Sequence, residues 1–118
     1  MLISAEDRHA AHPQTFNIPG RSARESLTRG DGVRLLFDIE TREGGRVIDR
    51  GVDRLWVIVQ HRRGDGYIGL LDSDPGLADG LNLRPGDPIA FGPEHVADIA
   101  RPPRDYVLAK YGSAFFDE

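Results

Sequence analysis

The chain contains no cysteine, and this absence removes several kinds of chemistry at once. Disulfide bonds, iron–sulfur clusters and zinc sites with thiolate ligands all require cysteine. A thiolate nucleophile is excluded for the same reason. Catalysis or metal binding would therefore depend on carboxylates, histidine, hydroxyl groups or amines.

An excess of positive charge and long apolar runs are also missing. Lysine and arginine number 15 against 19 aspartate and glutamate residues, and the two signs are interspersed. Because phosphate neutralisation supplies most non-specific nucleic-acid affinity, this balance disfavours a nucleic-acid partner. No apolar run approaches the roughly 20 residues of a membrane-spanning helix, and the first residues lack the basic and apolar segments of a signal peptide. We therefore expect a cytoplasmic protein with no membrane partner.

Alternation of apolar and polar residues predicts most of the regular structure. The 118 residues suffice for one domain, and residues 1–19, which show no clear period, are predicted to form an extended N-terminal arm. A period of two begins at Val33, and apolar runs follow at the positions 53–62, 67–71, 88–92 and 96–100. Glycine, aspartate and proline punctuate these runs, which is typical of tight turns between antiparallel strands.

This pattern predicts an α+β fold. Five to six short strands would form a small bent antiparallel sheet or a partly closed barrel. Short helices are predicted near 22–29, where Ser22 and Glu25 match a capping box, and near 104–111, after Pro103. Gly69, in the middle of a strand, predicts a bulge or a close approach of neighbouring backbone.

Between residues 32 and 100 the order of motifs resembles a known family. Leu-Trp-Val-x-Val at 55–59 is followed by Gly-Tyr-Ile-Gly-x-Leu-Asp-x-Asp-Pro at 66–75 and by Leu-x-x-Gly-Asp-x-Ile-x-Phe-x-Pro-Glu-His-Val at 83–96. This order resembles the bacterial domain-of-unknown-function family numbered 2314, although Ser73 stands where that family usually has asparagine. The resemblance implies a small α+β fold and no particular activity. Related domains occur among suspected toxin-immunity proteins, so the resemblance also keeps an inhibitory binding role in view.

Asp72, Asp74 and Asp79 fall in one loop rich in glycine and proline. Carboxylates clustered in this way suit a cation or an acid–base pair. The spacing departs from an EF-hand, because Leu77 occupies the position of its glycine and Leu83 that of its bidentate glutamate. The departure favours the alternative, in which these aspartates accept bonds from backbone amides and fix the turn.

Glu94 and His95 are adjacent and follow Gly92-Pro93. A histidine beside a carboxylate suits acid–base catalysis or metal ligation. Adjacent residues in a turn usually point apart, so cooperation would need a further partner such as Asp72. The favoured interpretation is local, with Glu94 as a cap and His95 hydrogen-bonded and half-buried.

Trp56 and Tyr67 lie on runs that are predicted to pair. Aromatic residues at such positions stabilise cross-strand contacts, and this packing role is the favoured interpretation. The alternative is a platform on which a base or a sugar stacks, with Arg62 and Arg63 nearby. His61 continues the alternation of the apolar face and is expected in the core or at its edge.

The leading hypothesis is a non-catalytic module that binds a protein partner or a small ligand, with no cofactor and no resident metal. The binding candidates are Asp72, Asp74, Asp79, Glu94, His95, Trp56 and Tyr67. One alternative is a metal-dependent or acid–base enzyme that uses Asp72, Asp74 and His95. Another is a nucleic-acid-binding barrel. The oligomeric state is open, because the terminal Phe115-Phe116 pair suits either the domain's own surface or a second copy.

Overall fold

A computed structural model describes residues 2–73 and 83–117, apart from the side chain of Thr41. Its helices are α1 (Ala5–Ala11), α2 (Arg21–Glu25) and α3 (Arg104–Tyr111). Its strands are β1 (Gly32–Glu43), β2 (Arg46–Arg63), β3 (Gly66–Leu71), β4 (Pro88–Phe91) and β5 (Val96–Ala100), with a 3-10 turn at Pro93–His95 between the last two. The predicted α+β class is confirmed, and α3 has the predicted bounds.

The five strands form one antiparallel sheet in the order β4-β3-β2-β1-β5. Leu2 adds an isolated bridge to Phe37 on the β5 side of β1. In a flat sheet the two edge strands would lie about 19 Å apart, at about 4.8 Å per strand. However, only the residues 92–95 join β4 to β5, and they include a compact 3-10 turn. The sheet therefore curls so that its two edges approach each other, without closing.

The two faces of the curled sheet are covered by different parts of the chain. The inner face carries the main core, in which alternate residues of β1 and β2 such as Val33, Leu35, Leu55 and Val57 are almost completely buried. On the outer face, Ile58 packs with Val107 of α3 and Phe115. Phe115 thus tucks onto its own domain, and the helix and the C-terminal segment cover part of the outer face.

The β1–β2 hairpin is longer than the sequence predicts. Gly44 and Gly45 adopt φ values of 58° and 81°, the left-handed conformation that a two-residue hairpin turn requires. After this turn β2 runs without interruption for 18 residues, so it begins before the apolar run predicted at 53–62. The end of the hairpin projects beyond the other strands and exposes Ile48, which is 57% accessible.

The prediction of an extended N-terminal arm is wrong over Ala5–Ala11, which forms α1. The Ser4 hydroxyl accepts a hydrogen bond from the Asp7 amide at 3.1 Å, which caps the helix. The buried side chain of Arg24 in α2 also pairs with Glu6 at 2.5 Å and holds α1 against the domain. A serine followed three residues later by an acid is the signal that a search for apolar periodicity overlooks.

The second helix is shorter than the predicted 22–29 and ends at Glu25. Gly20 stands at its N-cap, and no side chain caps it. The predicted capping box does not form, because Ser22 lies inside the helix and not at its N-cap. The Glu25 carboxylate pairs with Arg21 at 2.7 Å.

The prediction for Gly69 is confirmed. A Cβ atom at this position would lie 2.5 Å from Val57 Cγ1 and 2.7 Å from the Ile58 carbonyl oxygen. The pairing of β2 with β3 also shifts register between Val59 and His61. This irregularity ends the apolar alternation, so His61 is exposed rather than in the core or at its edge as predicted.

Candidate ligand-binding site

Asp72 follows the last residue of β3 and connects the sheet to α3. The hydroxyl of Tyr106 donates to its Oδ2 at 2.9 Å, and the hydroxyl of Tyr111 donates to its Oδ1 at 2.5 Å. Lys110 Nζ lies 2.8 Å from Oδ1 and also donates to the Asp72 carbonyl oxygen at 2.8 Å. Both carboxylate oxygens are therefore bound to side chains of one helix.

These contacts change the protonation behaviour of the whole group. Burial by itself raises the pKa of Asp72, but the hydrogen bonds from Lys110, Tyr111 and Tyr106 together lower that pKa below its usual value. Burial and the Asp72 carboxylate raise the pKa of Tyr111 far above its ordinary value. At neutral pH the site therefore holds a carboxylate and a neutral phenol.

Trp56 lies beside Asp72 on the outer face, and its backbone is hydrogen-bonded to the residues that follow β3. The Trp56 amide donates to the Ser73 hydroxyl at 2.8 Å, and the Trp56 carbonyl accepts from the Asp72 amide at 2.8 Å. The guanidinium of Arg34 lies over the indole ring, 4.7 Å from its centroid, in a cation–π contact. The ring itself is half-buried.

Between Trp56 and α3 is a cavity of about 430 Å³, here named the Trp56 cavity. Its walls are mainly apolar and include Trp56, Ile58, Pro102, Pro103 and Tyr106. Asp72 lies at its polar end, and Gly32 forms part of its wall. Arg34 does not line this cavity. It therefore contacts a part of the indole ring that does not face the cavity.

Glu94 and His95 are positioned by the 3-10 turn between β4 and β5. The Gly92 amide donates to His95 Nδ1 at 2.9 Å, and the His95 side chain is 25% accessible. Because Nδ1 accepts this bond, it does not donate to Glu94 Oε1, which lies 3.4 Å away. The histidine thus closes its own turn.

Of the candidates proposed for catalysis, Asp72 and His95 do not converge. Among the described residues, Asp72 forms no hydrogen bond with His95, and none of the described cavities is lined by both. Within the same residues no group of three potential metal ligands is found. Asp74 and Asp79 lie outside the described residues.

Trp56 and Tyr67 belong to opposite faces of the sheet. Tyr67 is 2% accessible and its ring stacks on Phe91, with centroids 5.3 Å apart. Its hydroxyl donates to the Arg24 carbonyl oxygen at 3.0 Å and accepts from Arg62 at 3.0 Å. Tyr67 also lines a cavity beside β3 and β4 with Phe91 and Glu94, but its ring is buried in the core, whereas Trp56 is only half-buried.

Sequence reasoning missed the residues that α3 contributes. Tyr106, Lys110 and Tyr111 stand at positions i, i+4 and i+5 of a helix, so they share one side of it. This spacing is a signal that three polar groups face a common partner. It does not identify Asp72 as that partner, because the contact joins segments 34 to 39 residues apart.

No protein-family model matches the chain, and neither a curated protein nor a solved structure matches it significantly. In the part of the chain that is described, no helix is long and apolar enough to cross a membrane. The fold and the geometry above therefore carry the functional argument, and the family resemblance stays a prediction.

Proposed function

We propose that this domain binds a small ligand containing a planar ring and does not transform it. The Trp56 cavity is the binding site. The observation that carries the proposal is a cavity with flat apolar walls, of ligand size, that is open on the outer face. Trp56, Tyr106 and the two prolines offer surfaces against which a ring packs well.

The rigidity of the cavity supports this proposal. The hydrogen bonds of the Trp56 backbone fix one wall, and the bonds between Asp72 and α3 fix the opposite wall. A preformed site loses less conformational entropy when a ligand binds.

The chemistry of the polar end supports binding without catalysis. The Asp72 carboxylate accepts bonds from Lys110, Tyr106 and Tyr111, and its lowered pKa makes it a weak base at neutral pH. A general base needs a pKa near the working pH, which this environment does not provide.

Trp56 is the single tryptophan of the chain, so its fluorescence reports directly on the site. The probes are the four ribonucleosides, which carry planar rings without charge. We expect at least one to change the Trp56 emission in a saturable way. Ribose, which lacks a planar ring, is the negative control and should cause no change.

Two glycine variants give a matched comparison. In Gly32→Ala the new methyl group would lie 3.7 Å from Trp56 Cε3 and 3.6 Å from Pro102 Cδ, so it occupies the cavity without a clash. In Gly51→Ala, on the partner strand, nothing lies within 4 Å of the new methyl group. Gly32→Ala should weaken binding about tenfold or more, which corresponds to about 1.4 kcal/mol, and Gly51→Ala should not change it.

The proposal fails if none of the four ribonucleosides changes the emission. It also fails if a ribonucleoside binds Gly32→Ala as tightly as the wild type, because binding would then occur elsewhere.

A further inference from the structure

A second cavity, of about 420 Å³, lies on the same outer face and is here named the arginine cavity. The segment 15–19 forms one wall, and β1, β2 and β5 form the others. Arg34 and Arg54 both line it. Arg34 also lies over the ring of Trp56, which lines the other cavity, so the contact between these two side chains separates the two cavities.

The two arginines lie on neighbouring strands, and neither forms an ion pair among the described residues. Arg34 is paired with Trp56 in the β1–β2 register, and Leu36 is paired with Arg54, so the two arginines are diagonal neighbours on one face. Among the described residues, no carboxylate oxygen lies within 4.0 Å of either guanidinium. Like charges on neighbouring strands repel, and an anion bound between them relieves that repulsion.

Aromatic rings hold both guanidiniums in place. Arg34 lies 4.7 Å from the centroid of Trp56, and Arg54 lies 6.0 Å from the centroid of Phe16. Cation–π contacts of this kind leave the N–H donors at the guanidinium edge free to bind an oxyanion.

One carboxylate, that of Asp98, also lines the arginine cavity. Its Oδ1 accepts a hydrogen bond from the Ile99 amide at 2.8 Å. Asp98 is the cross-strand partner of Arg34 in the β1–β5 register, but its carboxylate oxygens lie beyond 4.0 Å from the guanidinium. A single carboxylate against two guanidiniums still leaves the cavity with net positive charge.

We propose that the ligand of this domain is a nucleoside monophosphate, with its base in the Trp56 cavity and its phosphate between Arg34 and Arg54. This inference rests on the proposed function, because it adds an anion site to the ring site. The contact between Trp56 and Arg34 places a ring site beside an anion site, and a nucleotide joins a ring to a phosphate through a short sugar. Guanidinium groups bind phosphate oxygens with charge-assisted hydrogen bonds.

The charge of the whole chain favours a mononucleotide over a nucleic-acid strand. The net charge is −4, and a long polyanion would be repelled by the rest of the surface. A mononucleotide presents its charge to the arginine pair alone.

The test compares each ribonucleoside with its 5′-monophosphate, using Trp56 emission and isothermal titration calorimetry. We expect at least one monophosphate to bind about tenfold tighter than its nucleoside. Arg54→Gln is the main variant, because Arg54 lies over Phe16 and not over Trp56. It should remove the preference for the phosphate while leaving nucleoside affinity unchanged.

Arg46→Gln is the matched control, since Arg46 is an exposed arginine of the same strand that lines neither cavity. It should keep the full preference for the phosphate. Thermal melting of each variant confirms that it is folded.

Each contrary result has a distinct meaning. Equal binding of nucleoside and monophosphate overturns the anion site but leaves the proposed ring site standing. Absence of binding by both overturns the proposed function and this inference with it. Inorganic phosphate that binds as tightly as the monophosphate shows that the ring contributes nothing, and a single-stranded oligonucleotide that binds more than tenfold tighter than any monophosphate shows a polymer ligand. Both of these results overturn the assignment of a mononucleotide.

Discussion

Asp72 and the Glu94–His95 pair each follow a strand, but their partners lie at very different distances along the chain. His95 bonds to Gly92, three residues earlier, and so closes a single turn. Asp72 bonds to Tyr106, Lys110 and Tyr111, which lie 34 to 39 residues later. The local motif shapes its own backbone, whereas the long-range one attaches a helix to the sheet and thereby builds a cavity. The Asp72 carboxylate thus becomes part of a site because the side chains of α3 bind to it.

The largest expected difference comes from removing each side chain in turn. Asp72→Ala should lower the free energy of unfolding by about 2–3 kcal/mol, because it leaves two tyrosine hydroxyls and an ammonium group without their acceptor. His95→Ala should cost about 1 kcal/mol or less, as the loss of a cap does. Urea unfolding of both variants checks this order, and a larger loss in His95→Ala would contradict the comparison.

The next prediction divides the Asp72 cluster into its two phenols. Tyr111→Phe should cost about 1–2 kcal/mol, because a hydrogen bond to a charged carboxylate is lost in a partly buried place. Tyr106→Phe should cost less, since Tyr106 is 43% accessible and water replaces its bond. Chemical denaturation measures both losses in the free energy of unfolding. Equal losses would show that burial does not determine how much each hydrogen bond contributes.

The difference between local and long-range contacts also explains which features the sequence predicts. The sequence predicts a local role for Glu94 and His95, because neighbouring residues suffice to close their turn. The strands, α3 and the close approach at Gly69 likewise follow from periodicity, proline and glycine placement. The Trp56 cavity does not, because its walls come from β1, β2, the ends of β3 and β5, and α3. Local patterns carry no information on which of these segments meet.

The N-terminal helix and His61 show two other limits. A capping signal at Ser4 outweighs the lack of apolar periodicity in the segment that follows. One register shift beside Gly69 moves His61 from an expected core position to the solvent. Single backbone irregularities of this kind change the face of every later residue in a strand.

A third prediction uses pH to test the long-range contacts of Asp72, which the local turn at Glu94–His95 lacks. The pKa of Asp72 in the folded protein lies below its usual value, so as the pH falls the unfolded chain binds this proton first. Its stabilising contribution is complete above that value and is lost as the pH falls through the lower, folded pKa. Between about pH 5 and pH 2, wild-type stability should fall more steeply than that of Asp72→Asn. Parallel curves in an acid titration of unfolding would refute this role.

The smallest expected effect belongs to the local site. In Gly92→Ala the new Cβ would approach the Glu94 carboxylate, which is the end of a flexible side chain and moves at little cost. Gly92 also has a φ of −113°, which alanine adopts readily. We expect a change of about 0.5 kcal/mol or less in thermal or urea unfolding. A loss as large as that of Asp72→Ala would mean that the turn is not independent of the rest of the fold.

The central claim, that the Trp56 cavity holds a planar ring, is tested most directly by nuclear magnetic resonance of the single indole N–H. A ¹H–¹⁵N spectrum of labelled protein contains one such tryptophan signal. Titration with the four nucleoside monophosphates should shift it in a saturable way with at least one of them in the wild type and in Gly51→Ala, and Gly32→Ala should need about tenfold more ligand or more for the same shift. An indole signal that stays fixed with all four, or that shifts equally in Gly32→Ala, would contradict the claim.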